Sequence, residues 1–385
     1  MKKSLIALAL IGAFSGTAVA QSSVTLYGIV DIGVQMNTAG VNKGTTTAPN
    51  YSQESVWGVN SGYQSGSRWG MRGSEALGGG WNAVFTLEGG YSPDTGTLGQ
   101  GGRLFGRQAW AGVQSAGMGT FALGRFATPS SGTGSFDQWG FVDPFATGWG
   151  INSLGSTFIP SNALREDNAV LWSSPTWAGF NFAAMYSFNI DGAEKSPSGN
   201  NIPAATLAAK WAWGPIAVAA TYDLITKPDT APATVDDQKM TQIGGTWDFK
   251  LAKLHAGYAI QRGISFIGQS GIPGGFVPTG VQAFDNDAYM IGATVPLMGG
   301  SLLGSYQYSN AKNVQGGTGA AAYAFEPDYS VWGIGYSYPF SRRTNMYVGY
   351  GQQSWDGAIS LGGSKTDPVN QFNKKQFALG LRHLF

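Results

Sequence analysis

The last ten residues read Gln376-Phe377-Ala378-Leu379-Gly380-Leu381-Arg382-His383-Leu384-Phe385. One parity carries Phe377, Leu379, Leu381 and the terminal Phe385; the other carries Gln376, Ala378, Gly380 and Arg382. Period-two alternation marks a strand whose two faces meet different surroundings. It recurs along the chain. Val24, Leu26, Val30, Ile32 and Val34 stand against Thr25, Tyr27, Asp31 and Gln35. Trp81, Ala83, Phe85 and Leu87 stand against Asn82, Thr86 and Glu88. Phe180, Phe182, Ala184, Tyr186 and Phe188 share a face, as do Trp332, Ile334, Tyr336 and Tyr338, and later Met346, Val348 and Tyr350.

The composition says what surrounds those faces. Charged residues make up 12% of the 385 residues and aromatics 13%; the 59 glycines are about 15%, roughly twice the usual share. Cysteine is absent, so no disulfide holds the fold. Residues 1–20 read as an export leader: Lys2 and Lys3, an apolar Leu5–Phe14, then Ala18-Val19-Ala20. Beyond it no apolar run is long enough for a transmembrane helix. An exported chain, poor in charge and without apolar helices, fits a transmembrane β-barrel, which needs only half of its strand residues apolar. The net charge of +1 gives no reason to expect nucleic acid as a partner.

The connections fix the strand number. Tight turns fall near Leu77–Gly80, Ser115–Gly119, Ser174–Thr176, Trp213–Pro215, Lys250–Lys253, Pro296–Gly300 and Pro339–Arg342. Between them lie longer polar stretches at 37–66, 92–102, 127–165, 189–204, 225–237, 263–285, 311–328 and 353–373. Short turns alternating with long loops are the up-and-down pattern of outer-membrane barrels. The expected fold is all-β: a sixteen-stranded antiparallel barrel over residues 21–385, with both termini on the periplasmic side. Val24–Met36 and Lys375–Phe385 should pair to close it, with Phe377, Leu379 and Leu381 facing outward and Phe385 in an aromatic girdle.

Five stretches in order, SSVTLYGIVDIGV, SRWGMRGSEALGGGWNAVFTLE, GRQAWAGV, GTFALGRFATP and FALGLRHLF, resemble the Gram-negative general porins, nearest to the β-proteobacterial, neisserial-type branch. The resemblance implies a trimeric outer-membrane channel for small hydrophilic solutes and ions, set in lipid and lipopolysaccharide. It implies a third loop folded into the barrel. It also implies that the terminal strand (Phe377, Leu379, Leu381, Phe385) is the signal read by the outer-membrane assembly machinery. Small residues in AWAGVQSAG would let barrels pack flat.

A barrel of this width holds water, so selectivity rests on charges at a constriction. Arg68 and Arg72 alternate with Trp69 and Met71 and should face the lumen, as should Tyr27, Asp31 and Glu88. Arg107 is placed there too, sharing the parity of Ala109 and Ala111, because mid-membrane arginine on the lipid face costs about 2–4 kcal/mol. Arg125 is ambiguous. Alternation sets it with Phe121 and Leu123, whereas the family's matching LGR places it at the constriction; a bulge at Gly124 would reconcile the two. The aromatic-rich stretch 127–165 is expected to turn inward, with Asp137 and Asp143 facing the arginines. Leu171 stands where the family often has a basic residue, which leaves the ion preference open. A substrate-specific channel is the alternative function. A barrel hydrolase is the remote one, since His255 and His383 are the only histidines. No metal cluster and no cofactor motif is evident, and none is expected.

Overall fold

Alternation becomes a wall of sixteen antiparallel strands in the computed structural model. It describes residues 23–43, 51–146, 148–153, 165–190, 192–231, 236–264, 284–312, 315–316, 323–324, 328–356, 359–361, 364–366 and 373–385. The expected leader, residues 1–20, lies outside these, as does part of the 127–165 connection. The strands are β1 (Ser23–Asn42), β2 in two segments (Tyr51–Ser61 and Arg68–Gly78), β3 (Trp81–Ser92), β4 (Gln108–Ser115) and β5 (Gly119–Ala127). They continue with β6 (Arg165–Ser173), β7 (Phe180–Ser187), β8 (Ala204–Trp213), β9 (Ile216–Ile225), β10 (Gln238–Asp248) and β11 (Lys253–Ile264). The series ends with β12 (Phe284–Leu297), β13 (Gly300–Lys312), β14 (Asp328–Pro339), β15 (Thr344–Asp356) and β16 (Lys374–Leu384).

Each strand pairs with its neighbours in sequence, and the last pairs with the first. β1 meets β16 from Ile29↔Leu384 to Asn37↔Gln376, so the sheet has no free edge there. Beyond the strand, Phe385 and Gly28 exchange two backbone hydrogen bonds, both 3.1 Å. Gly28 has no room for a side chain: a Cβ would stand 2.3 Å from the Phe385 ring. Deleting residues 374–385 removes the ladders to both β1 and β15. That variant is expected to run only as unfolded monomer on unboiled gels, where the full chain keeps a compact, heat-sensitive band.

The two faces differ as the alternation requires. Leu207, Val218, Ile243, Leu254 and Ile291 are exposed on one side. Opposite them, on the same strands, lie Thr206, Thr221, Gln242, Gln261 and Asn286, all buried. Exposed apolar side chains in a continuous band belong against lipid. Aromatic pairs flank the tight turns, among them Trp247 with Phe249 and Tyr338 with Phe340.

One expected loop is corrected. Residues 37–66 are not a single polar loop. β1 runs on to Asn42 and pairs with Tyr51–Ser61, from Ile32↔Ser61 to Asn42↔Tyr51. The second strand of the barrel is therefore interrupted at 62–67 rather than starting at Arg68.

Candidate functional site

On β2, Arg68 and Arg72 share the parity of buried Gly70, with Trp69 and Met71 on the other side. The Arg72 guanidinium lies 5.4 Å from the centre of the Tyr27 ring. The Tyr27 hydroxyl donates to Glu88 Oε2 (3.0 Å), and Arg107 Nε donates to Glu88 Oε1 (2.6 Å). One buried carboxylate thus joins β1, β3 and the connection before β4. Arg68 is held by neutral oxygens, donating to Gly66 O and Ser65 Oγ, both 2.9 Å. Arg165, the first residue of β6, lies within the field of Arg107, Arg125, Arg68 and Glu88, and its Nε is buried without a hydrogen-bond partner. Among the described residues no carboxylate forms an ion pair with Arg68, Arg72 or Arg165.

The Arg107–Glu88 pair is nearly dry, with side-chain exposures of 9% and 5%. Removing one partner leaves the other charge buried alone, which typically costs about 3–5 kcal/mol. Arg107→Ala is expected to lose stability on that scale in denaturant titration, and Arg107→Met with Glu88→Met to recover much of it.

The parity expected for Arg107 is corrected. Trp110, not Ala111, is on the inner face of β4: Trp110 is buried against Phe126 and Phe136, while Ala111 and Val113 are exposed. Arg107 precedes the regular strand and reaches Glu88 from outside its alternation.

Arg125 keeps the parity of Phe121 and Leu123, opposite Ala122 and Phe126. The ladder does slip between Gly124 and Phe126, but the extra residue is on β6, where Asn168 has φ 51°. Arg125 Nη1 donates to Asp167 Oδ1 (2.5 Å) and its Nε to Gly106 O (2.9 Å). Arg103 donates to the same carboxylate at 2.8 Å and 2.9 Å. Asp31 is fully buried; it accepts from Tyr347 Oη and from Ser65 N, both 2.5 Å, and so ties β15 to the interruption in β2.

The two loop acids serve their own backbone. Asp137 accepts from Trp139 N and Gly140 N (both 2.9 Å), and Asp143 accepts from Phe145 N (2.9 Å). Burial holds the Asp137 carboxyl above the ordinary range, and these N–H groups offset only part of that rise. The cation acting on Asp137 is Lys210 of β8, whose ammonium stands 4.4 Å over the Phe141 ring. Sequence reasoning missed Lys210, Arg103, Arg165 and Asp167. Arg165 and Asp167 bracket the end of the long connection, where a charge-rich Arg165-Glu166-Asp167 run was the available signal.

The β5–β6 connection is anchored at three places. Phe136 packs with Trp110, Phe126, Leu171 and Met185. Trp139 and Val142 pack on Ala219, Ala259, Ala288 and Met290. Phe145 and Trp149 pack with Tyr63, Leu303, Tyr347 and Ala378. The strands make room by carrying small residues. A Cβ on Gly244 would stand 2.6 Å from Val142 and 2.9 Å from Trp139; on Gly335, 2.7 Å from Trp149. Polar contacts pin the same segment. The His255 ring bridges Val142 O and Thr294 Oγ1, both 3.1 Å. Gln307 Nε2 donates to Asn152 O (2.6 Å), and Asn152 Nδ2 donates to Tyr350 O (3.1 Å).

Known proteins share both sequence and fold. A family model described as Gram-negative porin matches residues 7–358. An outer membrane porin protein of Bordetella pertussis is 34% identical, covering 100% of both chains. The solved anion-selective porin from Comamonas acidovorans superposes with a TM-score of 0.69 at 22% identity, covering 95% of this chain and 100% of its own. A trimer form of OmpT from Vibrio cholerae superposes with a TM-score of 0.58 at 16% identity, covering 94% and 99%.

Proposed function

The chain belongs to the Gram-negative porin family, and from that premise we propose how its pore is narrowed and which ions it favours. It is an outer-membrane porin, a channel for passive diffusion of small hydrophilic solutes and ions. Sixteen strands enclose more space than side chains fill, so the lumen holds water. The described part of the β5–β6 connection, 128–146 and 148–153, is proposed to lie inside that lumen and to form its constriction. Its aromatic residues meet strand residues opposite the exposed apolar band, at glycines and alanines that leave space for them.

Arg68 of β2, Arg165 of β6 and Arg107 before β4 gather around one carboxylate, Glu88 of β3, and Arg72 of β2 lies over the Tyr27 ring that Glu88 holds. That excess of guanidinium groups carries the reading: the pore favours anions. Arg125 adds less, because Asp167 matches its charge. Tyr27 and Asp31 act as supports, Tyr27 beneath Arg72 and Asp31 at the break in β2. The anion-selective porin from Comamonas acidovorans supports the preference by analogy of fold alone. A homotrimer is proposed by analogy with the trimeric relative, the outer face of β4–β7 offering small Ala111, Gly112 and Ala184 beside apolar Val113, Leu123 and Val170. Residues 1–20 are proposed as the export leader, and the strand ending at Phe385 as the assembly signal.

Proteoliposome swelling in sugars of graded size tests the diffusion mechanism. Rates falling smoothly with solute size, and rising linearly with concentration, are expected. Saturable entry of one sugar that blocks the others would favour a substrate-specific channel instead.

A further inference from the structure

Glu166 of β6 and Asp223 of β9 are buried together, 1% and 3% exposed, behind the first residues of the β5–β6 connection. Asp223 Oδ1 accepts from Thr206 Oγ1 (2.6 Å) and Ser130 Oγ (2.7 Å). Asp223 Oδ2 and both carboxylate oxygens of Glu166 are buried without a hydrogen-bond partner among the described residues. A fourth such oxygen, Gln242 Oε1, is close by along the chain of bonds. Gln242 Nε2 donates to Ser130 O (3.3 Å) and to Thr221 Oγ1 (3.1 Å). The charge acting on Glu166 is that of Asp223, which has the same sign. Arg165, its neighbour in sequence, acts on Glu88 and on other arginines.

Two buried like charges with bare oxygens are too costly to stand as they are: the pair takes up either a proton or a cation. The unmatched atoms on Glu166, Asp223 and Gln242 are all oxygens, so what would complete them is positive and hard, not an anion. We propose that Glu166 and Asp223 form a divalent-cation site of the calcium class, completed by the hydroxyl oxygens of Thr206 and Ser130. Calcium accepts six to eight oxygens in irregular geometry, including bidentate carboxylates; magnesium demands a near-octahedral shell and keeps its waters. Carboxylates and hydroxyls drawn from β6, β8, β9 and a loop suit the larger ion. The ion would join Ser130, at the root of the long connection, to three strands of the wall.

Equilibrium dialysis of the detergent-purified, chelator-stripped, lipopolysaccharide-free protein against calcium chloride tests this, with metal counted by atomic absorption. The wild type is expected to hold one calcium per chain more than Glu166→Gln/Asp223→Asn. Calcium is expected to raise its thermal midpoint by several degrees and to leave that of the variant in place. Magnesium at equal concentration should compete poorly. Equal calcium counts in the two proteins, or a wild-type midpoint indifferent to calcium, would overturn the proposal. Should the double variant fail to assemble, the wild-type count decides alone: less than one calcium per chain refutes the site.

Discussion

Replacing Arg68, Arg72 and Arg165 together with alanine is expected to abolish the anion preference of the channel. In water, a unit charge about 8 Å from a passing ion contributes roughly 0.5 kcal/mol. It attracts one sign and repels the other, so the difference is about 1 kcal/mol, or roughly fivefold in the anion-to-cation ratio per arginine at low salt. Three such losses should bring the reversal potential in a salt gradient through zero toward the cation side. The shift should shrink as salt rises, because the screening length falls to about 3 Å at 1 M. These three arginines suit the test because none forms an ion pair with a carboxylate among the described residues. Arg107 does not, since its loss strands Glu88 and confounds permeability with folding. An unchanged reversal potential in a variant that still assembles would remove these residues from the constriction.

Loosening the β5–β6 connection is expected to have the second large effect, on conductance rather than on selectivity. Trp139 is fully buried on Ala219, Ala259, Ala288 and Met290. Truncating such a residue typically costs about 3–5 kcal/mol, here drawn from the anchoring of one loop. Trp139→Ala should give larger, noisier current steps and admit larger sugars. The wall offers an independent test: Gly244→Leu drives a side chain into the space of Val142 and Trp139 and should dislodge the loop from the other side. If both variants kept the wild-type conductance and size limit, the loop would not be what narrows the pore.

The residues differ in how far they announced these roles. Strands facing lipid on one side and water on the other must alternate, so Phe180–Phe188 and Phe377–Phe385 were legible as wall. The Tyr51–Ser61 segment was not, because Val56, Trp57 and Val59 are exposed alongside Gln53 and Glu54, leaving no buried face to set a period. Trp110 misled for the opposite reason. It is apolar yet lies on the parity of buried Gln108, because Phe136 of the long connection packs against it. Gly244, Gly292 and Gly335 sit opposite loop side chains, but a glycine carries no hydropathy signal. That Arg68 and Arg72 share one parity of β2, against Trp69 and Met71, could be read from alternation. The ion pairs elsewhere could not, since Glu88–Arg107 and Asp167–Arg125 depend on which strands become neighbours and where β6 slips.

Single-channel recording of the purified wild-type protein in a planar bilayer, under a tenfold potassium chloride gradient, is the most direct test. A closed barrel holding water beside unmatched arginines should give discrete, ohmic steps whose size grows in proportion to salt, with a reversal potential on the chloride side. No discrete steps, or a conductance indifferent to salt, would contradict the water-filled barrel; a reversal potential on the potassium side would contradict the arginine wall.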